Sequence, residues 1–274
     1  MARGTAKWED LAGQLLRDIE AGAHPVLTQL PKVRELRAQG WSADAVRDAY
    51  RHLTALGYIT VTHGVGHFVR DRTVVSVHRS NHGPAADEAM LEPWATDTAE
   101  QGLDGRMILI DLFAGEAPAS VADMLQLTPD DYSVVRLTQH AVVVTPSAAA
   151  SDQGEAASGP DSALSEETVL QIQEAWYPAH IARRAGLDVE GNLEGGTLRA
   201  LTAAGLVGSA TERFRYRLAT QDERQTLQLP DGGYVLYIER LLVDPDGNVA
   251  EFQRVTAVPD RTEVVYKDLQ LVRQ

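Results

Sequence analysis

Residues 30–69 read LPKVRELRAQGWSADAVRDAYRHLTALGYITVTHGVGHFV, and within them two short helical patterns run straight into two β-rich ones. Pro31 suits a helix start, where its missing N–H costs nothing. Val33 and Leu36 continue that turn, and Gly40 ends it. Ser42 is placed to cap a second helix, whose apolar residues Ala45, Val46, Ala49, Tyr50, Leu53 and Leu56 recur at helical spacing. Gly57 stops this helix. Residues 58–62 are β-branched and aromatic, residues 63–66 carry a Gly-x-Gly turn signal, and residues 67–70 return as a partner strand.

Helix, tight turn, helix and hairpin in that order is the grammar of a winged helix-turn-helix. Leu30-Pro31, Arg34-Glu35-Leu36, Ser42, Val46-Arg47, Ala49, Leu53, Leu56, Gly57-Tyr58-Ile59 and Gly64-x-Gly66-x-Phe68-Val69 resemble the DNA-binding domain of GntR-type bacterial transcription regulators. With the amphipathic segment 8–21 before them (Trp8, Leu11, Ala12, Leu15, Leu16 and Ile19 on one face), the resemblance covers about residues 7–70. It implies that the helix after Ser42 enters the major groove while neighbouring groups grip phosphates. The implied DNA-binding residues are Lys32, Arg34, Ser42, Asp44, Arg47, His63, Gly64 and Gly66. The chain departs from the family pattern where relatives carry Ser-Arg and then Thr or Asn: here stand Ser42-Ala43 and Asp44, and one residue is missing before Gly40. The wing has His63 and Val65 where relatives often have a basic residue. Asp44 can stabilise the helix dipole or accept from cytosine N4. Fewer cations mean weaker phosphate attraction, so the alternative is a domain that has kept the fold and lost its grip on DNA.

The net charge of −14 taken alone argues against a nucleic-acid partner, but its distribution does not. Residues 1–75 hold ten Lys and Arg against eight Asp and Glu, a balance of +2, so the remainder carries −16. A mildly basic head on an acidic body suits a DNA reader whose second part stays off the phosphates. A length of 274 residues predicts two domains. Cysteine is absent, which excludes disulfides and thiolate metal sites. There is no apolar run long enough for a bilayer and no apolar signal core, so a cytoplasmic protein is expected.

The organisation predicted is a DNA-binding domain over residues 1–75, a linker over 76–104 rich in Gly, Pro and acidic residues, and a second domain over 105–274. His78, His82 and Asp87 in the linker raise a metal site, but a second carboxylate and regular spacing are missing, and solvated histidines are the simpler reading. The second domain opens with a strand-like run at 107–113, a helix at 119–127, a turn and a strand at 133–144. A similar cassette returns at 220–240: Leu125-Gln126-Leu127 matches Leu227-Gln228-Leu229, and Tyr132 matches Tyr234. One sheet built from two related halves is expected. Residues 145–167 are Ala/Ser/Gly/Asp-rich and read as a disordered acidic insertion. Further strands are expected at 168–177, 210–218, 234–243 and 249–258, with a helix opened by Gly195-Gly196-Thr197 and ended by Gly205.

Ala122-x-x-Leu125, Val134-Val135-Arg136, Tyr177-Pro178, Gly195-Gly196-Thr197-Leu198, Glu212 with Arg217, Leu236-x-x-x-Arg240, Asp246-Gly247 and Glu251 resemble the UTRA ligand-sensing domain of the HutC branch of GntR regulators, over about residues 105–270. That resemblance implies an α+β architecture: a chorismate-lyase-like fold with a mostly antiparallel sheet behind the winged helix-turn-helix. It also implies an effector site drawing on Arg136, Tyr177, Thr197, Arg217 and Glu251. The Gly-Gly-Thr helix start offers unpaired N–H groups to an anion, and an arginine fork binds carboxylate or phosphate at two points. Four of the five have a plainer reading: Thr197 as a helix cap, Tyr177 as core, Glu251 paired with Arg254, and Arg217 within an Arg213/Arg215/Arg217 stripe on a solvated sheet face. The partners expected are an operator duplex, a small-molecule effector of anionic character and a second copy of the chain, with no cofactor, metal or catalytic residue. An enzyme of chorismate-lyase type is the distant alternative, since fold kinship does not transfer catalysis.

Overall fold

The computed structural model describes residues 8–62, 64–78, 93–144 and 166–266. The chain divides into two compact units, the first built on residues up to 73 and the second on residues 74–143, 167–227 and from 234 onward.

The first unit contains α1 (Trp8–Glu20), α2 (Val33–Ala38), α3 (Ala43–Ala55), β1 (Ile59–Thr62) and β2 (Gly66–Val69). Its core joins Leu11 and Leu15 of α1, Leu36 of α2, and Val46, Ala49, Tyr50 and Leu53 of α3, closed by Ile59 and Val69 of the hairpin. These are the residues at helical and strand spacing, so burial follows the periodicity directly. Pro31 precedes α2 rather than opening it; Lys32 takes the cap position and its N–H donates to Glu35 Oε2 at 2.9 Å. Ser42 caps α3, its Oγ accepting from Ala45 N at 3.1 Å. Gly57 ends the helix region with φ +73°, a conformation open to glycine without the clash a Cβ brings. β1 and β2 pair antiparallel, Ile59 opposite Val69 and Thr62 opposite Gly66. The cap makes a prediction: Ser42→Ala should cost about 1 kcal/mol of head stability, read as a lowered urea midpoint of the head, whether or not DNA is present.

The second unit begins with β3 (Val75–His78) and α4 (Pro93–Glu100), which but for Val75 lie inside the segment read from sequence as linker. Most of the acidic insertion lies outside the described residues. There follow β4 (Asp104–Gly115), α5 (Ala119–Leu125), β5 (Ser133–Val144), β6 (Glu166–Pro178), α6 (Ala179–Ala185), α7 (Gly196–Ala203), β7 (Ser209–Leu218), α8 (Gln221–Thr226), β8 (Tyr234–Val243), β9 (Val249–Ala257) and β10 (Thr262–Val265).

Six strands form one sheet in the order β4-β5-β6-β9-β8-β7, and β10 pairs parallel with β3 in a separate two-stranded sheet. The six-stranded order is two three-strand halves meeting at β6 and β9, as the repeated cassette predicts. The repeat extends to the backbone: Gln126 after α5 and Gln228 after α8 both take left-handed φ, +56° and +51°. Consecutive residues Trp176 and Tyr177 point to opposite faces of the sheet, as the period of two requires. Trp176 packs with Phe252 and the α5 residues Val121 and Leu125, and Tyr177 packs with Ile181, Leu187, Leu201 and Leu206 from the α6–α7 side. Strand β9 is covered on both faces, whereas β7 lies at the edge with Tyr216 67% and Leu218 58% exposed. Its alternation is the expected one, yet both of its faces meet solvent.

Candidate functional site

In the head, burial of Ala45, Val46, Ala49, Tyr50 and Leu53 turns the opposite face of α3 outward. Four charged residues stand on that face, and they pair among themselves. Arg47 Nη1 lies 2.7 Å from Asp44 Oδ1, and Arg51 Nη1 lies 2.9 Å from Asp48 Oδ1, each one turn apart. Arg34 is exposed with Glu35 3.5 Å away. Ser42 Oγ is occupied as the cap, so its hydroxyl serves the helix first. At the wing, Gly64 adopts φ +77°, and Gly66 backs onto Gln29, whose Nε2 donates to Val65 O at 2.8 Å. His63 lies outside the described residues.

In the second unit a cleft enclosing about 570 Å³, counting the solvent at its mouth, opens between β3, the start of α4, the sheet and the start of α7. Val77, His78 and Trp94 form one wall, and Gly196, Thr197 and Leu198 another. From the sheet come Met107, His140, Gln171, Gln173, Arg240 and Gln253. Of the five effector residues expected from sequence, Thr197 lines this cleft and the other four do not. Tyr177 and Glu251 stand directly behind it. The Tyr177 hydroxyl donates to Glu251 Oε2 at 3.0 Å, and Arg240 donates from Nε and Nη2 to Glu251 Oε1 at 3.0 and 2.7 Å. Tyr177 and Glu251 are fully buried. A buried polar chain from Tyr177 through Glu251 therefore reaches the cleft at Arg240. Burial, then the Glu251 charge, raises the Tyr177 pKa, so the phenol keeps its proton. Burial alone would lower Arg240, but the charge and hydrogen bonds of Glu251 carry it above the ordinary value.

Arg136 and Arg217 are spent elsewhere, for reasons the family pattern does not contain. Arg136 is buried and donates from Nη1 to the carbonyls of Leu187 and Val189 at 2.9 and 2.7 Å, and from Nη2 to Gly191 at 2.5 Å. It ties the loop after α6 to the sheet. Arg217 forms a two-point pair with Glu223, at 2.7 and 2.6 Å, and lies with Arg215 over the Tyr237 ring. The hydrogen bonds from Arg217 hold the Glu223 carboxyl below its usual range. A depressed folded pKa stabilises above the unfolded value of 4.5 and ceases to do so as pH falls through the folded value. Wild type should therefore exceed Glu223→Gln in urea stability at pH 7, and the gap should shrink on acidification to pH 3.

Sequence reasoning passed over His140, Gln171, Trp94 and Asp97, and it met His78 only as a metal candidate and Arg240 only within the family pattern. Strand periodicity carried a signal for one of them, since Arg136, Thr138 and His140 alternate along β5 and all three are buried. His140 takes a hydrogen bond from Gln171 at Nδ1, 2.7 Å away, and faces Thr138 with Nε2 at 3.2 Å. His78 lies against Asp97, while His82 and Asp87 are outside the described residues. No helix among the described residues is long and apolar enough to cross a membrane.

Comparison with known proteins places both units. Residues 7–69 match the model of bacterial regulatory proteins of the gntR family, and residues 163–263 match the UTRA domain. An uncharacterized HTH-type transcriptional regulator of Streptomyces coelicolor is 26% identical over 266 residues, covering 92% of this chain and 88% of that one. Among solved structures, PhnF from Mycobacterium smegmatis is similar with a TM-score of 0.55 at 14% identity, over 96% of this chain and 99% of that one. The isolated effector domain of the same protein matches with a TM-score of 0.50 at 14% identity, covering 72% of this chain and 100% of that one.

Proposed function

We propose that this transcriptional regulator, a DNA-binding GntR domain followed by a ligand-binding UTRA domain, is a cytoplasmic repressor of the HutC branch whose hold on its operator is set by a small molecule in the cleft of the second domain. Two copies read a two-fold operator, because paired half-sites mirror the symmetry of a dimer. The observation that carries the reading is the α3 face: polar, outward, beside a hairpin, and backed by a core that fixes its orientation. Lys32, Arg34, Ser42, Arg47, Gly64 and Gly66 on or beside it are the proposed DNA contacts, together with His63, and Asp44 either reads cytosine N4 or only favours the helix dipole at a cost in phosphate attraction. The effector acts by binding the DNA-competent and incompetent arrangements with different affinity, without which it would change nothing. Thr197 is the proposed effector contact among the residues expected from sequence, while Tyr177 and Glu251 hold the lining residue Arg240 from behind. An anionic effector drew on Arg136 and Arg217, whose guanidinium groups are engaged outside the cleft, so a hydrogen-bonding ligand is the better match to the lining. No catalytic role is assigned to any residue.

A second reading, a regulator whose head no longer reads DNA, is favoured by the pairing of Arg47 and Arg51 with aspartates on the outward face. Mobility shifts of the full chain on its own upstream region, with and without a panel of metabolites, test the proposal. Retention of one fragment and its release by a compound that also raises the melting temperature support it. Equal weak binding to every duplex supports the second reading.

A further inference from the structure

Strand β3 is held from both sides, and only one of the holders is a strand. Val75 N donates to Arg261 O at 2.9 Å and β10 continues that edge. On the other edge stand Asp97 of α4 and Gln101 just past its end, four residues apart, which take the place of a neighbouring strand. Ser76 N donates to Gln101 Oε1 and Gln101 Nε2 donates to Ser76 O, both at 2.8 Å. His78 N donates to Asp97 Oδ2 at 2.9 Å, and the other oxygen of the same carboxylate lies 3.0 Å from His78 Nδ1. One carboxylate thus fixes the main chain and the ring of a single residue. That residue lines the cleft, as does Trp94 on the same helix as Asp97. Only residues 70–74 separate β3 from β2 of the head.

A carboxylate accepts and cannot donate, so in the neutral His78 ring the proton sits on Nδ1 and the lone pair on Nε2. We propose that His78 is a ligand-contacting residue of the cleft, presented by Asp97 as a hydrogen-bond acceptor for an O–H or N–H group of the effector. Asp97 is its positioning residue. Because Asp97 grips ring and main chain together, a contact made at Nε2 is delivered to β3, the first strand after the head. The inference rests on the cleft being the effector site.

The test uses the full chain and two readouts. Long-range ¹H–¹⁵N correlation spectra on ¹⁵N-histidine protein, with the signal assigned by His78→Gln, should show neutral imidazole protonated at Nδ1 in wild type at pH 7.5. Asp97→Asn, which turns an amide N–H₂ toward the ring, should move the proton to Nε2. Diethylpyrocarbonate, which attacks the unprotonated ring nitrogen, should carbethoxylate His78 at Nε2 in wild type and react about tenfold more slowly in Asp97→Asn, the factor expected for loss of one hydrogen-bonding preference. An Nε2–H tautomer or an imidazolium in wild type overturns the proposal, as does a His78 that the reagent does not reach or modifies equally in both proteins. A compound from the metabolite panel that releases DNA yet leaves carbethoxylation of His78 unslowed also overturns it, whereas a panel without any releasing compound counts against the cleft as effector site, so the two failures are distinguishable.

Discussion

Glu251→Ala is expected to destabilise the second domain by about 3–5 kcal/mol, the usual cost of stranding one member of a buried ion pair. Glu251 has no exposure and Arg240 has 8%, and the two bonds at 3.0 and 2.7 Å hold the guanidinium against a single carboxylate oxygen. The other oxygen takes the Tyr177 hydroxyl, so alanine also strands a buried phenol. The loss is of charge compensation rather than of volume, which fixes the order of a series. Glu251→Gln, keeping shape and part of the bonding, should cost less than alanine. The double change Arg240→Met with Glu251→Leu should recover most of the loss, because removing both charges removes the desolvation penalty with the attraction. Urea denaturation at pH 7.5, following the transition of the second domain, reads the series. A cost below about 1 kcal/mol for alanine, the level of a surface pair, would contradict the burial assigned to this pair.

The second large effect concerns DNA. On the outward face of α3, Asp44 lies 2.7 Å from Arg47, and their side chains are 85% and 63% exposed. A carboxylate there repels phosphates and occupies the guanidinium that would grip one. Asp44→Ala should therefore raise affinity for duplex DNA roughly tenfold at about 0.1 M salt and steepen the salt dependence by close to one phosphate contact. Arg47→Ala should do the reverse. The head loses a little stability with Asp44, since a carboxylate in the first turn favours the helix dipole by about 0.3–1 kcal/mol. Reading of cytosine N4 by Asp44 predicts the opposite sign on the preferred operator, a loss of affinity confined to that sequence. Comparing operator with scrambled duplex separates the two.

The head was legible because its determinants are local. Helix periodicity, the Ser42 cap and the glycine stops all act within a turn or two of the chain, and the core follows from them. The halves of the large sheet were legible through the Leu-Gln-Leu repeat, whose glutamines share the left-handed backbone. The segment taken for a linker was not. Strand β3 has four residues, and its partner β10 lies near the far end of the chain, so no local pattern announces the pairing. Helix α4 reads PWATDTAE, with little amphipathic contrast, and is held by side chains that bond strand main chain rather than by an apolar stripe. Arg136 illustrates the same limit: the carbonyls it bonds come from residues 187–191, whose place depends on the completed fold. Arg217 was a different case, for Glu223 stands only six positions on and the pair was available to inspection.

Equilibrium binding of the full chain to its upstream DNA, measured across a salt series for wild type and Arg47→Ala, tests the central claim most directly. Tight binding to one palindromic fragment, a steep negative dependence on salt, and a slope shallower by about one in the variant are expected. Binding that is flat with salt, indifferent to sequence and unchanged by Arg47→Ala would contradict it.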